Sequence, residues 1–144
     1  EHAHTGWEDS LSAQMSYPFA LAVALVRGSA DLADFGDAAR ADPAIAAVCP
    51  RVSVKADAVL DAAYPAARYA RIRVTGIDGR VHELLVDDGY GSPANPMTNA
   101  ALERKFDGLV APVLGQARAE ALRAAFDGLD VAPEAATFAS LLIP

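Results

Sequence analysis

The run from Phe19 to Val26 constrains this chain most: every residue in Phe19-Ala20-Leu21-Ala22-Val23-Ala24-Leu25-Val26 is apolar. Ser16 stands before it as an N-cap, and Pro18 falls in the first turn, where a missing N–H costs little. Arg27 then supplies a basic last turn, and Gly28 accepts the left-handed position that closes a helix. A helix apolar on every side is normally enclosed on every side. Within Leu11 to Gly28 this run therefore reads as a central buried helix whose N-terminal end, Ser16-Tyr17-Pro18-Phe19, is the only part carrying polar chemistry. At about 1.5 Å per residue it is too short to cross a bilayer.

With 144 residues the chain can bury a real core. The net charge of −7, without any run of Lys or Arg, argues against nucleic acid or an anionic membrane as partner. Cys49, the single cysteine, excludes an internal disulfide framework and a cysteine-based zinc site. Within AIAAVCP it reads as a small buried hydrophobe, and a reducing cytoplasm is the default location. Glu1, Glu8 and Asp9 have the wrong sign for the basic start of a signal peptide. The chain is 53% hydrophobic and 22% charged, and 33 of its residues are alanine. That excess mildly favours a domain packed against something else.

Residues 1–10 read as an irregular lead-in, with Trp7 laid against the body of the domain. The H-x-H spacing of His2 and His4 has no third ligand nearby, so a frayed chain end is the preferred reading. After Gly28, short helices separated by breakers are expected. Leu32 and Phe35 share a face, Gly36 interrupts, and Asp42-Pro43 caps a helix to Val48. Val52 to Lys55 alternates as a strand, and an aspartate-rich helical turn with Pro65 follows.

Tyr69 to Val86 reads as a hairpin with Asp78-Gly79 at its tip. A strict two-residue turn would mix the two faces. A three-residue turn, Ile77-Asp78-Gly79 with Gly79 left-handed in a G1 bulge, pairs Ile72 with Leu84 and Arg73 with Glu83. It leaves one apolar face (Ala70, Ile72, Val74, Leu84, Val86) with His82 on it near the open end. Residues 87–98 form a Gly/Pro-rich loop without phosphate-binding spacing, leading to Thr98 as an N-cap. Helices follow at 99–114, with Leu102, Phe106, Leu109, Val110 and Val113 on one face and Pro112 weakening the last turn. Further helices run over 116–129, with Leu122, Phe126 and Leu129 inward, and from about Pro133 to Leu142. Helices, an antiparallel sheet, then helices is an α+β order, and residues 11–144 read as a single domain.

Several of these stretches carry a resemblance. AQMSYPFALAVAL resembles the segment that opens the C-terminal domain of the MmgE/PrpD family, the 2-methylcitrate dehydratase-like enzymes that also include cis-aconitate decarboxylase. Ala13, Ser16, Pro18, Ala20 and Gly28 match the family form, while Met15, Tyr17 and Phe19 depart from it. Leu32, Ala33, Phe35, Asp42 and Pro43 match next, then Asp57, Leu60, Asp61, Tyr64 and Pro65. Gly91, Pro93, Asn95 and Pro96 match the family's G-x-P-x-N-P loop, and Leu102, Glu103, Lys105 and Phe106 its L-E-x-K-F.

The resemblance implies an α+β lid closing over a cleft, with a helical N-terminal domain as partner carrying the catalytic histidines. It implies a hydro-lyase on a small tricarboxylic acid, as in propionate catabolism, with no metal or other cofactor, and a tendency to homodimers. The family offers a tyrosine hydroxyl from the position of Phe19, which has none. Tyr17, two residues earlier, points about 200° away around a helix. Either Tyr17 substitutes by another path or this lid makes no polar contribution. Ser16, Phe19, His82, Tyr90 and Asn95 are the candidate cleft-lining residues. The chain alone is expected to be inactive; the alternative is a free-standing, non-catalytic binding or dimerisation domain derived from the lid.

Overall fold

The computed structural model describes residues 6–131 and 135–143. The chain divides into two compact units, one built from the chain up to Val52 together with the chain from Asn99 onward, the other from Ser53–Thr98. His2 and His4 lie outside the described residues, as does Pro133.

The first unit opens with α1, Ser10–Gln14, capped by Asp9, whose carboxylate accepts from Ser12 N–H at 2.7 Å. Helix α2, Tyr17–Arg27, starts where the sequence directs: Ser16 Oγ accepts from Phe19 N–H at 3.3 Å, and Pro18 sits in the first turn. Gly28 closes it at φ 74°, its N–H donating to Ala24 O at 2.9 Å. A 3-10 turn at Leu32–Phe35, α3 at Asp37–Arg40 and α4 at Pro43–Val48 follow, with Asp42 capping α4 through Ala44 N–H at 2.9 Å. Cys49 begins a 3-10 turn and is fully buried.

The core of this region is Ala13, Phe19, Ala22, Val23, Phe35, Ala39, Ile45 and Cys49, with Trp7 against it. Helix α2 is thus covered on one side only, contrary to the reading of a fully enclosed helix. Tyr17 and Leu25 are each 53% exposed, and Leu21 is half-buried, so one stripe at helical spacing faces outward. Alanine makes both sides of such a helix apolar, and the covering elements, at four to six residues each, are too short to wrap it. Leu32 is exposed, so it does not share the burial of Phe35.

The chain from Asn99 onward forms α6, Asn99–Leu114, and α7, Gln116–Asp127, joined at Gly115 with φ 83°. Helix α6 continues through Pro112. The expected apolar face is not the buried one. Leu102, Leu109 and Val113 are exposed, while Ala101, Ala119 and Leu122 are buried. The helices meet over small residues, Ala101 of α6 and Ala119 of α7, together with Leu122. An Arg123–Asp107 ion pair at 3.3 Å ties the two helices. Phe126 is also exposed, its ring 6.4 Å from that of Phe138 on α8, Ala135–Ser140.

The second unit holds α5, Ala58–Asp61, capped by Asp57, and an antiparallel hairpin of β1, Ala70–Thr75, and β2, Val81–Val86. Its register pairs Ile72 with Leu84 and Arg73 with Glu83, as the three-residue turn requires. Gly79 N–H donates to Gly76 O at 3.0 Å, Gly76 N–H to Arg80 O at 2.8 Å, and Gly79 has φ 79°. Val52 to Lys55 forms no strand, because no described segment pairs with it. An alternating pattern permits a strand; a partner's free edge makes one. With helices and this sheet, the fold is α+β.

Candidate functional site

The N-terminal end of α2 is where the sequence concentrates its polar chemistry, and the helix turns those residues in different directions. Ser16 is fully buried, its hydroxyl accepting from Phe19 N–H. Tyr17, the first helical residue, projects outward at 53% exposure. Phe19 points the other way and is completely buried, its ring centre 5.5 Å from that of Trp7 and 6.0 Å from that of Phe35. The two aromatics therefore do not exchange roles. Phe19 is core, and Tyr17 is the side chain with a hydroxyl at the surface.

The remaining candidates belong to the second unit. His82 faces Val74 and is exposed; the register puts it toward the turn end of the hairpin, not the open end. Tyr90 is 60% exposed. Asn95 organises the loop that contains it. Its side-chain amide donates to Asp88 O at 3.1 Å, its N–H to Ser92 Oγ at 3.2 Å, and its carbonyl accepts from Gly91 N–H at 2.8 Å. Gly91, at φ 93°, makes that turn possible.

Two charged arrangements in the first unit were not legible as sites. Arg27, at the end of α2, reaches Asp34 at 3.3 Å and Asp42 at 3.4 Å, so one guanidinium ties the 3-10 turn to the cap of α4. The Ser29 hydroxyl, donating at 2.8 Å, leads the interactions that hold the Asp34 carboxyl below its ordinary 3.8, with Arg27 adding to it. For Asp42 the Ala44 N–H leads and Arg27 again contributes. Arg40 donates to the carbonyls of Trp7 and Glu8 and to Asp37, while Trp7 Nε1 donates back to Arg40 O at 3.2 Å. A depression of about 480 Å³ lies there, lined by Gly6, Trp7, Glu8, Asp37, Arg40 and Ala41. The sequence signal for both was a lone arginine among aspartates, which is also what an ordinary solvated surface shows.

Burial pushes the Cys49 thiol above its ordinary 9.0, which suits an inert core position rather than a nucleophile. Among the described residues no three His, Cys, Asp or Glu side chains gather where they could hold a metal ion. No helix among them is long and apolar enough to cross a membrane.

The family model of the MmgE/PrpD C-terminal domain matches residues 2–130. The chain belongs to the MmgE/PrpD family and represents its C-terminal domain. No curated protein gives a match. The match spans both compact units and includes the lead-in around Trp7.

Proposed function

We propose that this chain is the lid of a 2-methylcitrate dehydratase-like hydro-lyase acting on a small tricarboxylic acid, working as one domain over residues 11–144 and completed by a helical N-terminal MmgE/PrpD-type domain. Family membership over residues 2–130 carries this reading. Loss of water from such an acid needs a base to take the proton from carbon, an acid to protonate the departing hydroxyl, and donors for the carboxylates. Several arginines are engaged within the fold: Arg27 with Asp34 and Asp42, Arg40 with backbone carbonyls and Asp37, and Arg73 with Glu83. On this reading the partner domain brings the acid–base set, and the chain is inactive alone. Tyr17 offers its hydroxyl toward the cleft, Ser16 fixes the start of its helix, and Phe19 supports that end from within the core. His82, Tyr90 and Asn95, all in the second unit, are further candidates for lining the substrate cleft. The setting is cytoplasmic, no cofactor takes part, and the assembled enzyme is a homodimer.

The test is turnover of 2-methylcitrate and citrate, followed by formation of the unsaturated acid, with this chain alone and joined to a helical MmgE/PrpD N-terminal domain. Activity only in the joined form, reduced in Tyr17→Phe, is the expected result. Turnover by the isolated chain, or none in the joined form, would overturn the reading. A second reading is a non-catalytic binding or dimerisation domain derived from the lid. It is favoured by one observation: the family's tyrosine position holds a buried phenylalanine. On that reading the joined form stays inactive while the chain self-associates on its own.

A further inference from the structure

We propose that Gly6–Glu8 is a strap whose polar fastenings, among the described residues, run to Arg40, and that it opens on its own, without unfolding of the unit, to uncover Phe19. This goes beyond the enzyme reading and does not depend on it.

Trp7 is half-buried while Phe19, 5.5 Å away between ring centres, is completely buried, so the indole is the outer of the two rings. The polar contacts run in both directions between the strap and the same residue. Trp7 Nε1 donates to Arg40 O at 3.2 Å, and the Arg40 guanidinium donates to the carbonyls of Trp7 and Glu8. Asp37, three residues before Arg40, accepts from the same guanidinium and sets its direction.

The attachment is also incomplete. Arg40 Nε is buried without a hydrogen-bond acceptor, so the latch carries a desolvated donor that opening would hydrate. A depression of about 480 Å³ lies beside the strap, lined by Gly6, Trp7 and Glu8 on one part and Asp37, Arg40 and Ala41 on the other. By contrast, Phe19 is also packed against Phe35, and Val23 and Ala22 of the same helix are fully buried. Segments held by few buried apolar contacts and solvent-near polar ones open at lower cost than the core they cover. Here that division falls between Trp7 and Phe19.

The Trp7 indole N–H reads the latch directly, because its acceptor is Arg40 O and Trp7 is the only tryptophan. Native-state hydrogen exchange of the 144-residue chain should show the indole exchanging at least about tenfold faster than the Val23 amide, with little dependence on sub-denaturing urea. Arg40→Ala should speed indole exchange by about tenfold again and leave the α2 amides unchanged, with Arg40→Lys between the two. Indole exchange in step with Val23, rising equally with urea, would show that the strap leaves only when the unit unfolds and would overturn the proposal. So would an indole unaffected by Arg40→Ala. The measurement on the unaltered chain decides the matter even if the variant does not fold.

Discussion

Restoring a tyrosine at position 19 tests the division of labour at the start of α2. Phe19→Tyr adds a hydroxyl to a ring with no exposed surface, flanked by Trp7 and Phe35. Of the other buried residues in that cluster, Ala13, Ala22, Val23, Ala39, Ile45 and Cys49 carry no side-chain oxygen, and the buried Ser16 hydroxyl already accepts from the Phe19 N–H. An unsatisfied buried hydroxyl costs roughly 1–3 kcal/mol. One extra heavy atom in a close-packed core adds about 1 kcal/mol. The expected loss is therefore about 2–4 kcal/mol. Tyr17→Phe, at a half-exposed ring, should cost about 1 kcal/mol or less. Urea unfolding followed by Trp7 emission measures both. With a slope near 2 kcal/mol per molar, Phe19→Tyr should lower the midpoint by about 1–2 M at unchanged slope. An unchanged midpoint, or a larger loss in Tyr17→Phe, would refute the assignment of Phe19 to the core and of Tyr17 to the surface.

Acid should loosen the Arg27 fork. The Asp34 carboxyl is held below its ordinary 3.8, so around and below that value the native state binds fewer protons than the unfolded chain. Its stabilising share is present above 3.8 and is lost as pH falls through the lowered value. Melting temperature against pH should fall there, and less steeply in Asp34→Asn; equal slopes would remove the fork from the account. In the hairpin, Gly79→Ala meets no atom within 4 Å, so its cost is the left-handed backbone alone at φ 79°. About 1 kcal/mol is expected. Gly28→Ala, also left-handed and also unobstructed, should cost a similar amount in thermal unfolding. A neutral result at either position would mean that the turn does not hold that conformation.

The parts of the fold that could be read from the sequence are those decided by neighbouring residues. Ser16, Pro18 and Gly28 set the limits of α2, and Asp42-Pro43 starts α4, because caps act over three or four residues. The hairpin register followed from refusing to mix faces across an Asp-Gly tip. Burial was harder to read, since it depends on what arrives from elsewhere. Leu102, Leu109 and Val113 make a better apolar stripe than Ala101, yet Ala101 is the buried residue. With alanine on so many faces, hydrophobic periodicity loses its power to choose between them. Tyr17 and Phe19 could be separated by helical geometry, but which of them faced the core depended on Trp7 and Phe35, distant in sequence and brought to the same ring. The Arg27 and Arg40 fastenings were invisible for the same reason.

Charge gives a physical reason why a lid of this composition would need its partner. A tricarboxylic acid carries up to three negative charges at neutral pH, and the chain itself carries a net charge of −7. Long-range steering by such a chain opposes an anionic substrate. Two of its arginines hold the fold together, Arg27 and Arg40 each tying separate segments. Freeing either for a carboxylate would break a tertiary tie as well as an ion pair. What the surface does present near Tyr17 is apolar: the α2 stripe with Leu21 and Leu25, and Leu11 and Met15 from the chain just before it, in a stretch from Ser10 to Val26 without one charged residue. Apolar surface can exclude water from a cleft and so strengthen the electrostatics of another domain's charges. On the enzyme reading the work divides accordingly, with the partner supplying the field and the proton transfers, and this chain supplying a dry cover and one hydroxyl at its edge.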